Sequence, residues 1–162
     1  MTRLAAPIAL GALLILAAPL AARESLGVYD SWAAFRDARP ARCYAIAKAQ
    51  GSSPAPAYAT VSNWPEKKVR GVLHIVLSRE AADERAVRLT VGSMRFTLVA
   101  KGRNAWASDV RQDAAIVAAL RSATGMSVSA TSTRGASFTD RYTLAGAATA
   151  IDAATVGCAR RS

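Results

Sequence analysis

The sequence predicts a mainly β domain, antiparallel and of the sandwich or barrel-like kind, with one inserted helix and a C-terminal helix. Three observations predict it. Short stretches in which apolar and polar residues alternate recur along the chain. Two of them flank a Gly-Ser pair that suits a two-residue hairpin turn. Only two segments carry helical spacing, and strands do not alternate with helices as a parallel sheet would require.

The chain opens with "MTRLAAPIALGALLILAAPLAARES". Arg3 precedes an apolar run from Leu4 to Ala18, followed by Pro19 and the small residues Ala21 and Ala22. That order is the one found in a secretory signal peptide. Cleavage is expected after Ala22, with Ala18 and Ala21 as alternatives, so residues 1–22 are read as signal and residues 23–162 as one β-rich domain. The run is shorter than the roughly 20 apolar residues of a spanning helix. No later run is long enough either, so the expected product is not an integral membrane protein after cleavage. Its expected location is the periplasm, the cell envelope or the medium.

Residues 23–40 mix charges with Tyr29, Trp32 and Phe35 and read as an irregular lead-in whose aromatics cap the core. Residues 42–49 then alternate, with Cys43, Ala45 and Ala47 on one face and Tyr44 and Ile46 on the other, which predicts a strand. A Gly/Ser/Pro connection (51–56) leads to a second strand at 57–64, which Pro65 ends, and "EKK" makes a charged turn. In "VRGVLHIVLS" (69–78), Val69, Leu73, Ile75 and Leu77 share a face with Gly71, while Arg70, Val72, His74 and Val76 take the other.

The polar loop "REAADER" (79–85) precedes the hairpin "AVRLTV-GS-MRFTLV". With Gly92 first in the turn, as type II′ prefers, Val91 pairs with Met94, Leu89 with Phe96 and Val87 with Leu98 on one side. Arg88 then faces Thr97 and Thr90 faces Arg95 on the other side, and a one-residue slip would mix the two faces. "KGRNAWASD" (101–109) reads as a loop. A helix follows, capped by Asp109 with Gln112 as its capping-box partner. Val110, Ala114, Val117 and Leu120 are expected along its apolar stripe, and Gly125 at its end. Strands are expected at 126–133 and 136–144, the second placing Phe138, Asp140, Tyr142 and Leu144 on one face. An alanine-rich helix at 145–155 is expected to stop at Gly157.

Without Arg3 the chain keeps 20 basic residues against 11 acidic, a net charge of +9. Such a balance suits an acidic polymer or lipid surface, or simply a solvated basic surface. An exported protein seldom meets nucleic acid, and none is expected as a partner. Arg88 and Arg95 lie diagonally across the hairpin, close enough to present two guanidiniums to a carboxylate or phosphate. Arg70 or His74 would extend that anion-binding surface if their strand were the neighbour. The alternative is that these arginines only solubilise an open sheet face.

Two cysteines, Cys43 and Cys158, stand near the two ends of the domain. In an oxidising compartment an even count points to an intramolecular bridge, with free or intermolecular thiols as the alternative. Two cysteines and one histidine make a poor zinc set, so no metal is expected. No P-loop, G-x-G-x-x-G, G-x-S-x-G or H-E-x-x-H occurs, and no cofactor or catalytic residue is assigned. His74 is read as a structural or partly exposed histidine. A hydrolase would need it beside a distant carboxylate and nucleophile.

One longer stretch goes further. "DAAIVAALRSATGMSVSATSTRGASFTDRYTLAGAATAIDAA" (113–154) runs helix, strand, Gly turn, strand, then Leu144-Ala145-Gly146 into an alanine-rich helix. It resembles the tail of the invasion-associated locus B family of exported proteobacterial proteins, where an "L-x-G" step enters a terminal helix. Trp32 ahead of Cys43 and the strand order of 69–100 are compatible with that family. Members usually carry a further cysteine pair before the inserted helix, where this chain has "NAWASDVRQDA". An aromatic usually follows the "L-x-G" step, where this chain has Ala147. The resemblance implies a β-rich periplasmic or surface protein that meets envelope or host components, either a protein or an anionic envelope component. It implies no reaction. A secreted inhibitor or ligand carrier is the remaining alternative, and it requires an apolar cavity between the sheet and the helix at 110–123.

Overall fold

A computed structural model of the chain describes residues 23–51 and 55–159. The expected signal segment and the middle of the Gly/Ser/Pro connection lie outside the described residues. Ten strands form one antiparallel sheet: β1 (Glu24–Tyr29), β2 (Trp32–Ala38), β3 (Ala41–Lys48), β4 (Tyr58–Trp64), β5 (Val69–Val76), β6 (Val87–Val91), β7 (Met94–Lys101), β8 (Asn104–Trp106), β9 (Gly125–Thr131) and β10 (Ser137–Thr143). Helix α1 (Val110–Leu120) is inserted between β8 and β9, and α2 (Ala147–Ala159) ends the described chain. The strands run β1-β2-β3-β4-β5-β8-β7-β6-β9-β10 across the sheet.

The corner of the sheet is β7. Its first part pairs with β6 from Met94 to Leu98, and its second part pairs with β8 from Val99 to Lys101. One strand therefore serves two limbs, and the inward faces of both limbs share a single core. The β6–β7 register is the one that the Gly92-Ser93 turn predicts, pair for pair from Val91–Met94 to Val87–Leu98. Gly92 takes φ +56° and Ser93 does not follow it into positive φ, as a type II′ turn demands.

The long limb is lined with small residues. Ala34, Ala45, Ala47 and Ala59 are fully buried or nearly so, and α2 lays Ala147, Ala150, Ile151 and Ala154 over them. Alanine on both surfaces lets helix and sheet approach closely, so dispersion contacts replace the bulk of large side chains. The disulfide joins Cys43 on β3 to Cys158 in the last turn of α2, with Cα atoms 5.7 Å apart and a sequence separation of 115.

Four expectations are corrected. Residues 23–40 are not irregular but form the β1–β2 hairpin and lead into β3. Their charges are cross-strand partners: Glu24 sits opposite Arg36, and Asp37 opposite Arg42. The segment expected as a loop at 101–109 contains β8, whose three residues pair with β5 on one side and β7 on the other. Helix α1 ends at Leu120, and Gly125 is instead the first residue of β9. Helix α2 runs through Gly157, which is buried because Leu26 lies where a Cβ would be, 2.5 Å away.

The Asp109 cap forms as expected. Its Oδ1 accepts the N–H groups of Arg111 and Gln112 at 2.8 and 2.9 Å, and Gln112 Oε1 reaches back to the Ser108 N–H. The Gln112 N–H foremost, with Ser108 and Arg111, holds the Asp109 carboxyl below the usual carboxylate range despite some opposing desolvation. The stripe of α1 is divided, however. Ile116, Ala119 and Leu120 enter the core, whereas Val110 is 73% exposed.

Candidate functional site

Pairing of β6 with β9 assembles a polar face from four strands. One cross-strand row runs Arg95–Thr90–Ser127–Arg141, and the next row on the same face runs Thr97–Arg88–Ser129–Thr139. The inward rows between them carry Leu89, Val128 and Asp140. Strands sit about 4.8 Å apart, so Arg95 and Arg141 stand roughly 14 Å apart across the row. Arg88, Arg95 and Arg141 are exposed, and none forms an ion pair among the described residues. Ser129 Oγ and Thr139 Oγ1 are hydrogen-bonded at 3.0 Å. No outward position in these two rows is acidic. The surface is therefore a platform of hydroxyls carrying three guanidiniums, whose donors match carboxylate or phosphate oxygens.

Arg88 and Arg95 thus lie diagonally, as the sequence requires. Arg141 was beyond the reach of sequence spacing, because its membership depends on β9 bridging β6 to β10. Arg70 does not join them. Its strand, β5, lies between β4 and β8, and a register shift at Gly71, with φ +67°, separates the Ser62–Val72 and Trp64–Val69 pairs. His74 is also on β5. Its Nε2 lies 2.9 Å from Asn104 Oδ1 and its ring stacks on Trp106, so its side-chain partners are an amide and an indole on β8. No group of three His, Cys, Asp or Glu side chains suited to a metal occurs among the described residues.

The densest basic group of the sequence, around Arg36, Arg39 and Arg42, is largely engaged within the molecule. Arg36 pairs with Glu24 and donates to the Gly157 carbonyl. Asp37 accepts from Arg23 at 3.1 Å and from Arg42 at 2.8 Å. The Arg42 guanidinium lies 4.2 Å from the Tyr44 ring centroid and 5.2 Å from that of Trp64, and Lys67 covers Trp64 at 5.0 Å. Burial works to raise the Asp37 pKa, but the two arginines outweigh it and hold the carboxyl below its ordinary value. Burial, then the Asp37 charge, pushes the Tyr44 hydroxyl up.

An apolar hollow of about 410 Å³ also lies between the sheet and α1, where the ligand-carrier reading requires one. Val61, Gly71, Ala114, Val117 and Ile151 line it, and Arg70 is at its edge.

No family model matches the chain, and neither a curated protein nor a solved structure is significantly similar to it. No helix among the described residues is long and apolar enough to cross a membrane.

Proposed function

We propose that this is an exported, non-enzymatic protein of the periplasm or cell envelope, of the invasion-associated locus B type, that holds an anionic envelope component. The observation that carries the reading is the four-strand platform on which Arg88, Arg95 and Arg141 have no ion pair among the described residues and stand among serine and threonine hydroxyls. A polysaccharide bearing carboxylates or phosphates offers the matching chemistry. Its charged groups take guanidinium donors, and its hydroxyls exchange hydrogen bonds with Ser and Thr. The disulfide is compatible with an oxidising compartment. The "L-x-G" step is in keeping with the family reading: Gly146, at φ +83°, immediately precedes α2.

The test is equilibrium binding of the folded, oxidised protein to lipopolysaccharide and to its dephosphorylated form. Arg88→Ala with Arg95→Ala is expected to weaken binding to the phosphorylated form by about tenfold for each guanidinium, since charge-assisted hydrogen bonds are worth roughly 1.5–3 kcal/mol. Equal binding by the wild type and the double variant would remove this face from the reading.

A further inference from the structure

The hollow beside α1 is half of a longer groove. A second hollow of about 390 Å³ adjoins it, walled by Trp64, Pro65, Val69 and the end of α2 at Cys158 and Ala159. The two share Asn63, Arg70 and Thr155. Each is within the usual size range of a small-molecule site. The groove therefore runs from Trp64, past Arg70, to Val110 on α1.

Its walls are mostly apolar, and its polar groups differ in availability. Asn63 is buried and occupied: its Oδ1 accepts the Gly71 N–H at 3.0 Å and its Nδ2 reaches Thr155 Oγ1 at 3.5 Å. Thr155 donates to the Ile151 carbonyl. Arg121 is held by Asp152 at 2.6 Å. Arg70, at the junction of the two hollows, is exposed and has no hydrogen bond or ion pair among the described residues. Lys68 adds a second cation in the first hollow, and no lining residue is acidic.

The helix bears on the same point. Val110, Ala114 and Val117 belong with Leu120 to the stripe expected to face the core, yet Val110 and Ala114 are exposed along this groove, and half-buried Val117 lines it while packing on the core. The core is served by Ile116, Ala119 and Leu120. The chain thus leaves Val110 and Ala114 of α1 uncovered by its own fold, next to a guanidinium unpaired among the described residues.

We propose that this groove binds a single-chain anionic amphiphile, a fatty-acid-like carboxylate. The head group pairs with Arg70, and the chain lies along Val110, Ala114 and Val117. Charge complementarity selects this occupant: an apolar trough with a central free arginine and no acidic lining residue favours a tail with a negative head and disfavours a cationic one. The site is separate from the arginine platform and does not rest on it.

The experiment is titration calorimetry of the oxidised protein with n-alkyl carboxylates of eight to fourteen carbons, kept below their critical micelle concentrations. n-Dodecyltrimethylammonium is the matched cation. Dodecanoate is expected to bind at one site, with affinity rising roughly fourfold per added methylene until the groove is full. The cation should bind at least tenfold more weakly. Arg70→Glu, at an exposed position, should reverse that preference. Ala114→Phe, on the exposed helix surface, should fill the groove and weaken both ligands at least tenfold. Arg88→Ala with Arg95→Ala should leave dodecanoate affinity unchanged. Circular dichroism checks the fold of each variant. Absence of saturable dodecanoate binding, no dependence on chain length, or equal affinity for both heads in wild type and Arg70→Glu would each overturn the proposal.

Discussion

The Trp32 indole Nε1–H donates to the Thr143 carbonyl at 3.0 Å, across 111 residues of sequence. Trp32 is almost fully buried at the start of β2, and Thr143 is the last residue of β10. The bond fastens the N-terminal hairpin to the segment that turns into α2. Ser31 N–H adds a bond to the Ala145 carbonyl at 3.3 Å. Gly146, the glycine of the "L-x-G" step, completes the junction: a Cβ there would lie 1.9 Å from the Tyr29 carbonyl oxygen.

That geometry predicts a large effect for a small change. Gly146→Ala forces a side chain into φ +83° and into the Tyr29 backbone. The expected loss is about 3 kcal/mol or more, the strain of the left-handed region plus the displacement of β1. Gly135→Ala is the control, because Gly135 has φ +80° but nothing lies within 4 Å of its Cβ position. It should lose only about 1–2 kcal/mol, the conformational part. Urea unfolding of both variants decides it, and equal losses would show that the Tyr29 contact costs nothing.

The disulfide sets a second expectation. Closing a loop of 115 residues restricts the unfolded chain, and the chain-entropy relation gives roughly 5 kcal/mol. Cys43→Ala with Cys158→Ala should lower stability by up to about that amount, with no change in far-ultraviolet circular dichroism below the transition. Intact-mass analysis of protein from a secreting host, alkylated before and after reduction, should find both thiols blocked until reduction. A monomer that reacts fully before reduction would refute the bridge.

How much of this was legible in the sequence depends on where the interactions lie. The β6–β7 register could be read because turn and alternation are both local and agree: Gly92 fixes the turn, and Leu89 and Phe96 must share a face. The Asp109 cap could be read for the same reason. The first hairpin could not, since Glu24, Arg36 and Asp37 look like loop charges until their cross-strand partners are known. Strand β8 is three residues long, too short to show a period. Helical spacing located α1 but could not say which of two overlapping stripes the core would take. Arg88 and Arg95 were within reach of local pairing. Arg141 and the separation of Arg70 from them were not, because both follow from the order of strands in the sheet.

Asp113 marks where α1 grips the sheet edge. Beyond the short β8, the Leu73 N–H on β5 turns to Asp113 Oδ1 at 2.8 Å. Burial raises the Asp113 pKa, the Leu73 N–H counters it, and the Asp109 charge raises it further. Asp113→Ala orphans the Leu73 donor and should lose about 1–3 kcal/mol. Asp113→Asn keeps an acceptor and removes the charge that burial disfavours, so it should lose less than half as much at pH 7. Chemical denaturation of the two variants tests this, and an Asn variant as weak as the Ala variant would contradict it.

Asp37 gives the pH dependence. Desolvation alone would raise its pKa, but Arg42 and Arg23 bind the ionised form and hold the folded value below the ordinary one. A carboxyl depressed in the folded state contributes stability above its unfolded pKa, near pH 4, and loses it as pH falls through the folded value. Arg23 is 61% exposed and screened by solvent, so the contribution should be about 1 kcal/mol at most. Asp37→Asn should therefore be less stable than wild type from pH 7 down to about pH 5, and the gap should narrow progressively below about pH 4 as the folded carboxyl is protonated. Asp109, whose carboxyl is also depressed, titrates in both proteins and cancels in the difference. Urea midpoints measured at half-unit intervals from pH 7 to pH 3 supply the comparison. Curves that stay parallel throughout would mean that Arg23 and Arg42 hold the neutral side chain as well as the charged one.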